Sequence, residues 1–252
     1  MPEPYHSGIT IFIPVFNEEA MVEAHIKKLM IYLQELGFPY EIIVGSNGSF
    51  DKTVMIIETL KKDIPCLDYF HIPMKAVGRA FRMGLEIARF NRVISLDMDL
   101  SIDLSFIERA YHQLETSHVV VGSKITGDQR RSVLRKTASN AFIFCARALL
   151  GLSYSDYSIA AKAYRKDAIS AYLPHMDDKT FYVTEILFRA FRDGKTLTEI
   201  PVDCNDTRPS RFNLIHEGWY KFSRLFVLYY AEKCRNKKKF MQSAGAGSKP
   251  VP

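Results

Sequence analysis

The sequence predicts an α/β domain on a mostly parallel sheet, followed by a basic amphipathic helix. Three observations carry this. Short β-rich runs alternate with longer helical stretches through the first half, as right-handed crossovers between parallel strands require. The 252 residues are 47% hydrophobic and 25% charged, which is ordinary globular composition and excludes a disordered or collagen-like chain. Positive charge is concentrated late. Residues 124–149 carry six Lys/Arg against one acid and residues 208–239 nine against two, which leaves the rest of the chain at −6. Such segments imply polyanionic partners: phosphates, an anionic membrane surface or nucleic acid.

The first strand is ITIFIP (Ile9–Pro14), apolar and β-branched. Asn17 is an expected N-cap for a helix over Glu18–Leu36, in which Ala20, Ala24, Leu29 and Leu33 share a face and Gly37 stops the run. EIIVG (Glu41–Gly45) is the second strand, SNGS a turn, and Asp51 caps a helix through Lys62. LDYFHI is a short strand, Ala76–Arg89 a helix, and VISLD (Val93–Asp97) a strand that runs into acids. Asp103–Leu114 is a helix and VVVGSK (Val119–Lys124) a strand. Ser132–Leu150 is an amphipathic helix through Leu134, Ala138, Ala141, Cys145 and Leu149. Asp156–Tyr164 is extended or irregular. Phe181–Asp193 is a helix ended by Gly194, and TLTEIPV is a strand. Asn213 caps a last helix to about Arg235, with an apolar stripe of Ile215, Trp219, Phe222, Phe226 and Tyr229 and a basic end, KCRNKKK. The expected domains are 1–212, an amphipathic basic helix 213–240 and a tail 241–252 without regular structure.

The four cysteines are scattered, with no C-x-x-C pair and no nearby His at metal spacing, so neither a disulfide framework nor a zinc site is expected. No basic n-region precedes an apolar stretch, and no run approaches the roughly 20 apolar residues of a membrane span. No G-x-G-x-x-G, P-loop or G-x-S-x-G occurs, which disfavours a nicotinamide enzyme, a P-loop ATPase and a serine hydrolase.

In an open parallel sheet, ligands bind beyond the carboxyl ends of the strands. The turns to inspect are therefore Pro14–Glu18, Gly45–Ser49, Asp97–Ser101 and Lys124. Asp97-Met98-Asp99 is the strongest signal. Neighbouring carboxylates at a strand end repel unless a cation sits there. Mg²⁺ commonly takes one or two protein carboxylates and completes its shell with water and substrate phosphates. The alternative is a solvated turn in which Asp99 or Ser101 caps the next helix. The loop Gly45–Ser49 offers backbone and the Asn47 amide to a planar base, or else it is a simple turn.

The motifs IPVFNEE, GSNGSFDKT, GRAFRMG, LDMDLS, VVVGSK, RKTAS with LLGLSYSD, and EIPVDCNDTRPSRFNL follow one another in a known order. In that order the chain resembles family 2 glycosyltransferases over roughly residues 9–215, and especially dolichyl-phosphate mannosyltransferases and related polyprenyl-phosphate glycosyltransferases. The resemblance implies a GT-A fold, a nucleotide-sugar donor (GDP-mannose or a UDP-sugar), Mg²⁺ or Mn²⁺, and a polyprenyl-phosphate acceptor. It puts Pro14, Phe16, Glu18, Asn47 and Asp97 in the donor pocket. Asn47 stands where the family usually has the second Asp of D-D-G-S. Asp97 and Asp99 match the D-x-D, with Asp99 the direct metal ligand, and Ser101, a third candidate ligand, stands where Gln is frequent. Lys124, at a usual Arg, together with Arg135 and Arg208, would clamp phosphates, with Asp97, Asp99, Arg135 and Arg208 as the catalytic set. Lys162 falls at a frequent Lys after Ala160, which replaces the usual Gly, and Glu185 matches a helix acid.

The physical logic agrees. A phosphate acceptor is already an anion, so no strong base is demanded; two anions must meet and a diphosphate must leave, which cation and basic groups permit. Inverting in-line displacement is expected. The last helix can lie at an anionic interface, each Lys/Arg there contributing about 1 kcal/mol, or it can pack on the sheet. The expected location is the cytoplasmic face of a membrane, peripherally bound, with no nucleic-acid partner. A saccharide hydroxyl acceptor, or a catalytically degenerate membrane- or nucleic-acid-binding module, are the competing readings.

Overall fold

A computed structural model describes residues 8–123, 133–152, 154, 157, 160–203 and 214–246, with backbone alone at 133–136, 138, 214–215 and 236–246. It divides into two compact units, one of residues 1–131 and 154–208, the other of residues 132–153 and 209–252.

The first unit is a seven-stranded sheet in the order β3-β2-β1-β4-β6-β5-β7. Its strands are β1 (Ile9–Val15), β2 (Tyr40–Asn47), β3 (Leu67–Ile72), β4 (Arg92–Ser95), β5 (Val119–Ser123), β6 (Lys162–Arg165) and β7 (Leu197–Pro201). All run parallel except β6, which pairs antiparallel with both β4 and β5. The sequence reads only extended or irregular chain there. Side-chain alternation records which face a residue takes and carries no information on the direction of a neighbouring strand.

Helices cover both faces. On one, Ile9, Ile11, Ile13 and Val15 of β1 pack with Val22, Ile26, Leu29 and Leu33 of α1 (Val22–Leu36), Ile57 and Leu60 of α2 (Thr53–Asp63), and Phe106, Ile107 and Ala110 of α4 (Ser105–Gln113). On the other face the core is aromatic. Phe12 meets Phe81 of α3 (Val77–Ile87) edge-on at 5.7 Å between ring centroids, and Phe81 in turn meets Tyr164 and Tyr182. Tyr182 opens α7 (Tyr182–Arg192), which follows the short α6 (Lys166–Ile169) and a 3₁₀ turn over Ser170–His175.

Pro14 sits in a central strand without cost. Phe12 accepts from the Leu96 N–H and lies opposite Ser95, the last rung between β1 and β4. Pro14 lies two residues on, on the same edge, so its missing N–H removes no ladder bond.

The second unit contains α5 (Val133–Leu150) and α8 (Leu214–Ala246). Phe142 meets Phe222 at 5.6 Å between ring centroids, and Ala146, Leu150, Leu152, Leu225 and Leu228 are buried. Two expectations change here. The last helix continues past Arg235 to Ala246, through a stretch that includes the good helix formers Lys237, Lys238, Lys239, Met241 and Gln242. The expected single stripe also divides: Phe222 turns to Phe142, while Trp219 and Phe226 join Val227 and Tyr230 among the exposed apolar residues. Among the described residues, no helix is long and apolar enough to cross a membrane.

Candidate active site

The chain builds β1, β2 and β3 outward in one direction and then returns to lay β4 on the other side of β1. At that reversal the connecting chains diverge beyond the carboxyl ends of β1 and β4 and leave a crevice. The turns after β1, β2, β3 and β4 all meet this edge.

The first two turns are fastened to each other. Asn17 is in the left-handed region at φ 54° and does not cap α1, which begins five residues later at Val22. Its side-chain oxygen instead accepts from the Phe50 N–H at 2.9 Å, and its own N–H donates to Ser49 Oγ at 3.1 Å. Glu18 N–H donates to Thr53 Oγ1 (2.8 Å), Glu19 N–H to Asp51 Oδ2 (3.2 Å), and Lys52 N–H to Glu19 Oε2 (2.9 Å). Burial alone would raise the Asp51 carboxyl, but hydrogen bonds from Thr53 and the Glu19 backbone outweigh it and hold the group below its usual range. Asp51 is therefore ionised at neutral pH, and what it contributes to the clasp is lost as pH falls through that lowered value.

Asn47 ends β2 almost fully buried and donates from Nδ2 to the Val15 carbonyl at 2.9 Å. That bond joins the two strand ends and orients the amide. Next to it, Gly48 is at φ 83°, and a Cβ there would meet the backbone of Met74 and Lys75 at 3.0 Å. The third turn thus comes close enough for Lys75 Nζ to stand 3.7 Å over the Phe16 ring. Phe16 also meets Phe50, a largely exposed ring, edge-on at 5.9 Å.

The acidic turn is held from beneath. Met98 is buried in the core, so the acids on either side of it stand out of the core, Asp97 exposed and Asp99 half-buried. Asp99 Oδ1 accepts from the Ser101 N–H at 3.0 Å, and Leu100 takes φ 47° with its N–H on the Asp97 carbonyl. From α1, His25 Nδ1 donates to the Met98 carbonyl at 2.7 Å. From α7, Tyr182 reaches the same neighbourhood. Burial raises its hydroxyl well above the usual range, and the charge of Asp97 raises it further.

Lys162 is buried in β6 opposite Ser95, two residues before Asp97. Glu185 is buried on α7, where its Oε2 accepts from the Asp177 N–H. Asp177 in turn accepts from the N–H groups of Lys179 and Phe181 and so closes the turn that leads into α7.

The structure therefore gathers Pro14, Phe16, Glu18, Asn47, Asp97, Asp99 and Ser101 at one sheet edge. Lys124 and Arg208 lie outside the described residues, and for Arg135 only the backbone, on α5, is described. Sequence reasoning missed Lys75, His25 and Tyr182. Lys75 had a usable signal, because it follows a parallel strand just as the inspected turns do. His25 and Tyr182 had none, since each reaches the acidic turn from another helix.

The acid pair can neutralise or bind a cation, and the clasped turns offer aromatic, amide and ammonium groups to a nucleotide. Known proteins are similar to this chain in sequence and in fold. The chain is 30% identical over 222 residues to the undecaprenyl-phosphate 4-deoxy-4-formamido-L-arabinose transferase of Pseudomonas fluorescens, covering 85% of this chain and 64% of that one. It is 24% identical over 217 residues to glycosyltransferase AglD of Haloferax volcanii, covering 83% of this chain and 35% of that one. It thus spans less than two thirds of these relatives. Among solved structures, glucosyl-3-phosphoglycerate synthase of Mycobacterium tuberculosis with bound UDP superposes with a TM-score of 0.67 at 16% identity, over 88% of this chain and 80% of that one. The same enzyme with Mn²⁺, UDP and phosphoglyceric acid gives a TM-score of 0.68 at 14% identity, over 88% and 78%. These likenesses establish the GT-A fold. Residues 10–173, from the first strand through the clasped turns and the acid pair to the 3₁₀ turn after α6, match glycosyl transferase family 2, and the chain belongs to that family.

Proposed function

We propose that this chain is an inverting glycosyltransferase moving one sugar from a nucleotide-diphosphate donor, GDP-mannose or a UDP-sugar, to a polyprenyl (dolichyl) phosphate. The carrying observation is the acid pair at the reversal of strand order beside the clasped turns, in a chain similar to undecaprenyl-phosphate transferases. Asn47, Phe16, Glu18 and Pro14 hold the nucleoside. Lys124, Arg135 and Arg208 clamp phosphates, and the work is done at the cytoplasmic face of a membrane with the chain peripherally bound.

Asp97 and Asp99 present hard oxygen ligands, which suit Mg²⁺ or Mn²⁺. Among the described residues no group of three or more His, Cys, Asp or Glu could hold a metal. A cation here would complete its shell with donor phosphates, Ser101 and water. When bound, it supplies neutralisation of the charge that develops on the departing diphosphate. An acceptor phosphate oxygen attacks the anomeric carbon as the bond to the diphosphate oxygen breaks. The electron pair leaves with the nucleotide, and the configuration inverts. The acceptor needs no deprotonation, so the basic residues serve to bring two anions together.

Radiolabelled GDP- and UDP-sugars offered with polyprenyl phosphate or with an oligosaccharide test this. Label should enter the organic phase in a metal-dependent way; label in the oligosaccharide alone overturns the acceptor. Independently, a nucleoside diphosphate with Mn²⁺ at about a hundredfold excess over Kd should raise Tm by about 5 °C, and duplex DNA should not.

His25 bears on the same metal. Its ring holds the carbonyl between the two acids, so His25→Ala should weaken Mn²⁺ binding about tenfold, read by titration in the presence of nucleoside diphosphate. His25→Asn, whose amide nitrogen can stand in for Nδ1, should restore most of that affinity. Equal affinity in His25→Ala and wild type removes the positioning role.

A further inference from the structure

The turn after β2 holds an aromatic ring in water at the mouth of the crevice. Phe50 is 83% exposed, more than any other large apolar side chain among the described residues. A single exposed apolar side chain is ordinary. Phe50 is neither isolated nor loose. Its ring meets Phe16 at an interplanar angle of 72°. Its N–H donates to Asn17 Oδ1, and the residues on either side are fastened as well, Ser49 Oγ by the Asn17 N–H and Asp51 Oδ2 by the Glu19 N–H. The backbone is thus pinned before, at and after Phe50, so the ring is presented outward although its burial would be favourable.

Phe16 and Phe50 do not offer the same surface. Phe16 is half-buried, and the Lys75 ammonium lies over the face of its ring. That cation–π contact occupies the face a flat ligand would need. Phe50 is the ring with area left for one. The spacing of the strands names the ligand. β1 lies between β2 and β4, so the end of β2 is two strand spacings, about 10 Å, from the end of β4. A ribose and two phosphates span a gap of that size. A donor whose diphosphate lies at Asp97 and Asp99 therefore carries its base to the turn after β2, where Phe50 stands. Any nucleobase has a π-face that can stack on such a ring.

We infer that Phe50, rather than Phe16, is the platform on which the donor's base stacks, with Phe16 closing the edge of the base and Lys75 holding Phe16. The inference rests on the nucleotide-sugar reading of the site and adds to it the residue that grips the base. It concerns affinity for the donor and not the transfer step.

The full chain with Mn²⁺ is titrated with UDP, with GDP and with ribose 5-diphosphate, which lacks a base. Phe50→Ala should weaken both nucleoside diphosphates about tenfold and leave ribose 5-diphosphate unchanged. Its Tm should stay within about 2 °C of wild type, because the ring is exposed. Phe50→Tyr keeps a flat ring and should restore the affinity. In transfer assays of Phe50→Ala the donor KM should rise about tenfold, with kcat and the acceptor KM unchanged. Trp219 is the chain's only tryptophan, so the Trp219→Phe/Phe50→Trp protein carries a single reporter on the platform. Its emission should be quenched by UDP and GDP and not by ribose 5-diphosphate. If wild type binds neither nucleoside diphosphate, the nucleotide-donor reading falls and the inference with it. If wild type and Phe50→Ala bind them equally, the inference alone is overturned. Equal weakening of ribose 5-diphosphate assigns Phe50 to the shape of the clasp and overturns it. A rise in the acceptor KM alone assigns the ring to the polyprenyl chain and overturns it also.

Discussion

Asp99→Asn is expected to lower kcat/KM for sugar transfer by about three orders of magnitude or more while leaving Tm within about 2 °C of wild type. The asymmetry follows from what Asp99 does in each state. In the folded chain its Oδ1 accepts a hydrogen bond from the Ser101 N–H, and an asparagine oxygen accepts the same bond, so the turn keeps its shape. What is lost is one negative charge at the crevice, the charge that would hold a divalent cation against a donor diphosphate. Alanine removes both charge and acceptor, so the asparagine variant is the sharper test. Steady-state transfer with varied Mn²⁺, alongside a thermal melt, measures both quantities. Near-wild-type turnover in a folded Asp99→Asn protein would remove Asp99 from the metal site and leave the acid pair as a solvated turn.

Gly78→Ala is expected to lower Tm by about 5 to 10 °C, against the propensity rule that alanine stabilises a helix by about 1 kcal/mol over glycine. Gly78 lies in the first turn of α3, where its N–H and that of Arg79 both donate to the Asp178 carbonyl, at 2.9 and 3.1 Å. A Cβ at this position would stand 2.1 Å from the Asp177 carbonyl oxygen and 2.7 Å from that of Lys179. Both are backbone atoms, so no rotamer change relieves the clash, and α3 must draw back from the segment that leads into α7. Overpacking of this kind costs about 1–3 kcal/mol and strains the paired hydrogen bonds as well, so it outweighs propensity. Arg82, which reaches Asp178 at 2.7 Å from the next turn of α3, would lose its alignment too. A Tm equal to or above that of wild type would show that propensity prevails.

The acid-apolar-acid run at 97–99 was legible because its logic is local: a buried Met98 between two carboxylates leaves them nowhere to go but outward. The turns after β1 and β2 were legible for a related reason, since parallel strands deliver their turns to one edge whatever their order. Asn17 was misread. As a residue before a helix it looks like a cap, but its side chain is taken by Phe50, thirty-three positions away, and only the folded clasp offers that partner. The last helix was misread likewise: its apolar residues fall on two faces, and which of them packs inward depends on where α5 lies.

By itself the sequence determined the α/β class, the positions of six of the seven strands, the acid pair and the concentration of cations in the second unit. These follow from periodicity, turn chemistry and charge count, each confined to a few neighbouring residues. The tertiary structure alone decided that β6 runs antiparallel, that His25 and Tyr182 converge on the acidic turn from two different helices, that Lys75 covers Phe16, and that α8 turns an almost uncharged face outward. Each of these joins residues far apart in the chain, and such pairings are chosen by the packing of whole elements, which no local pattern encodes.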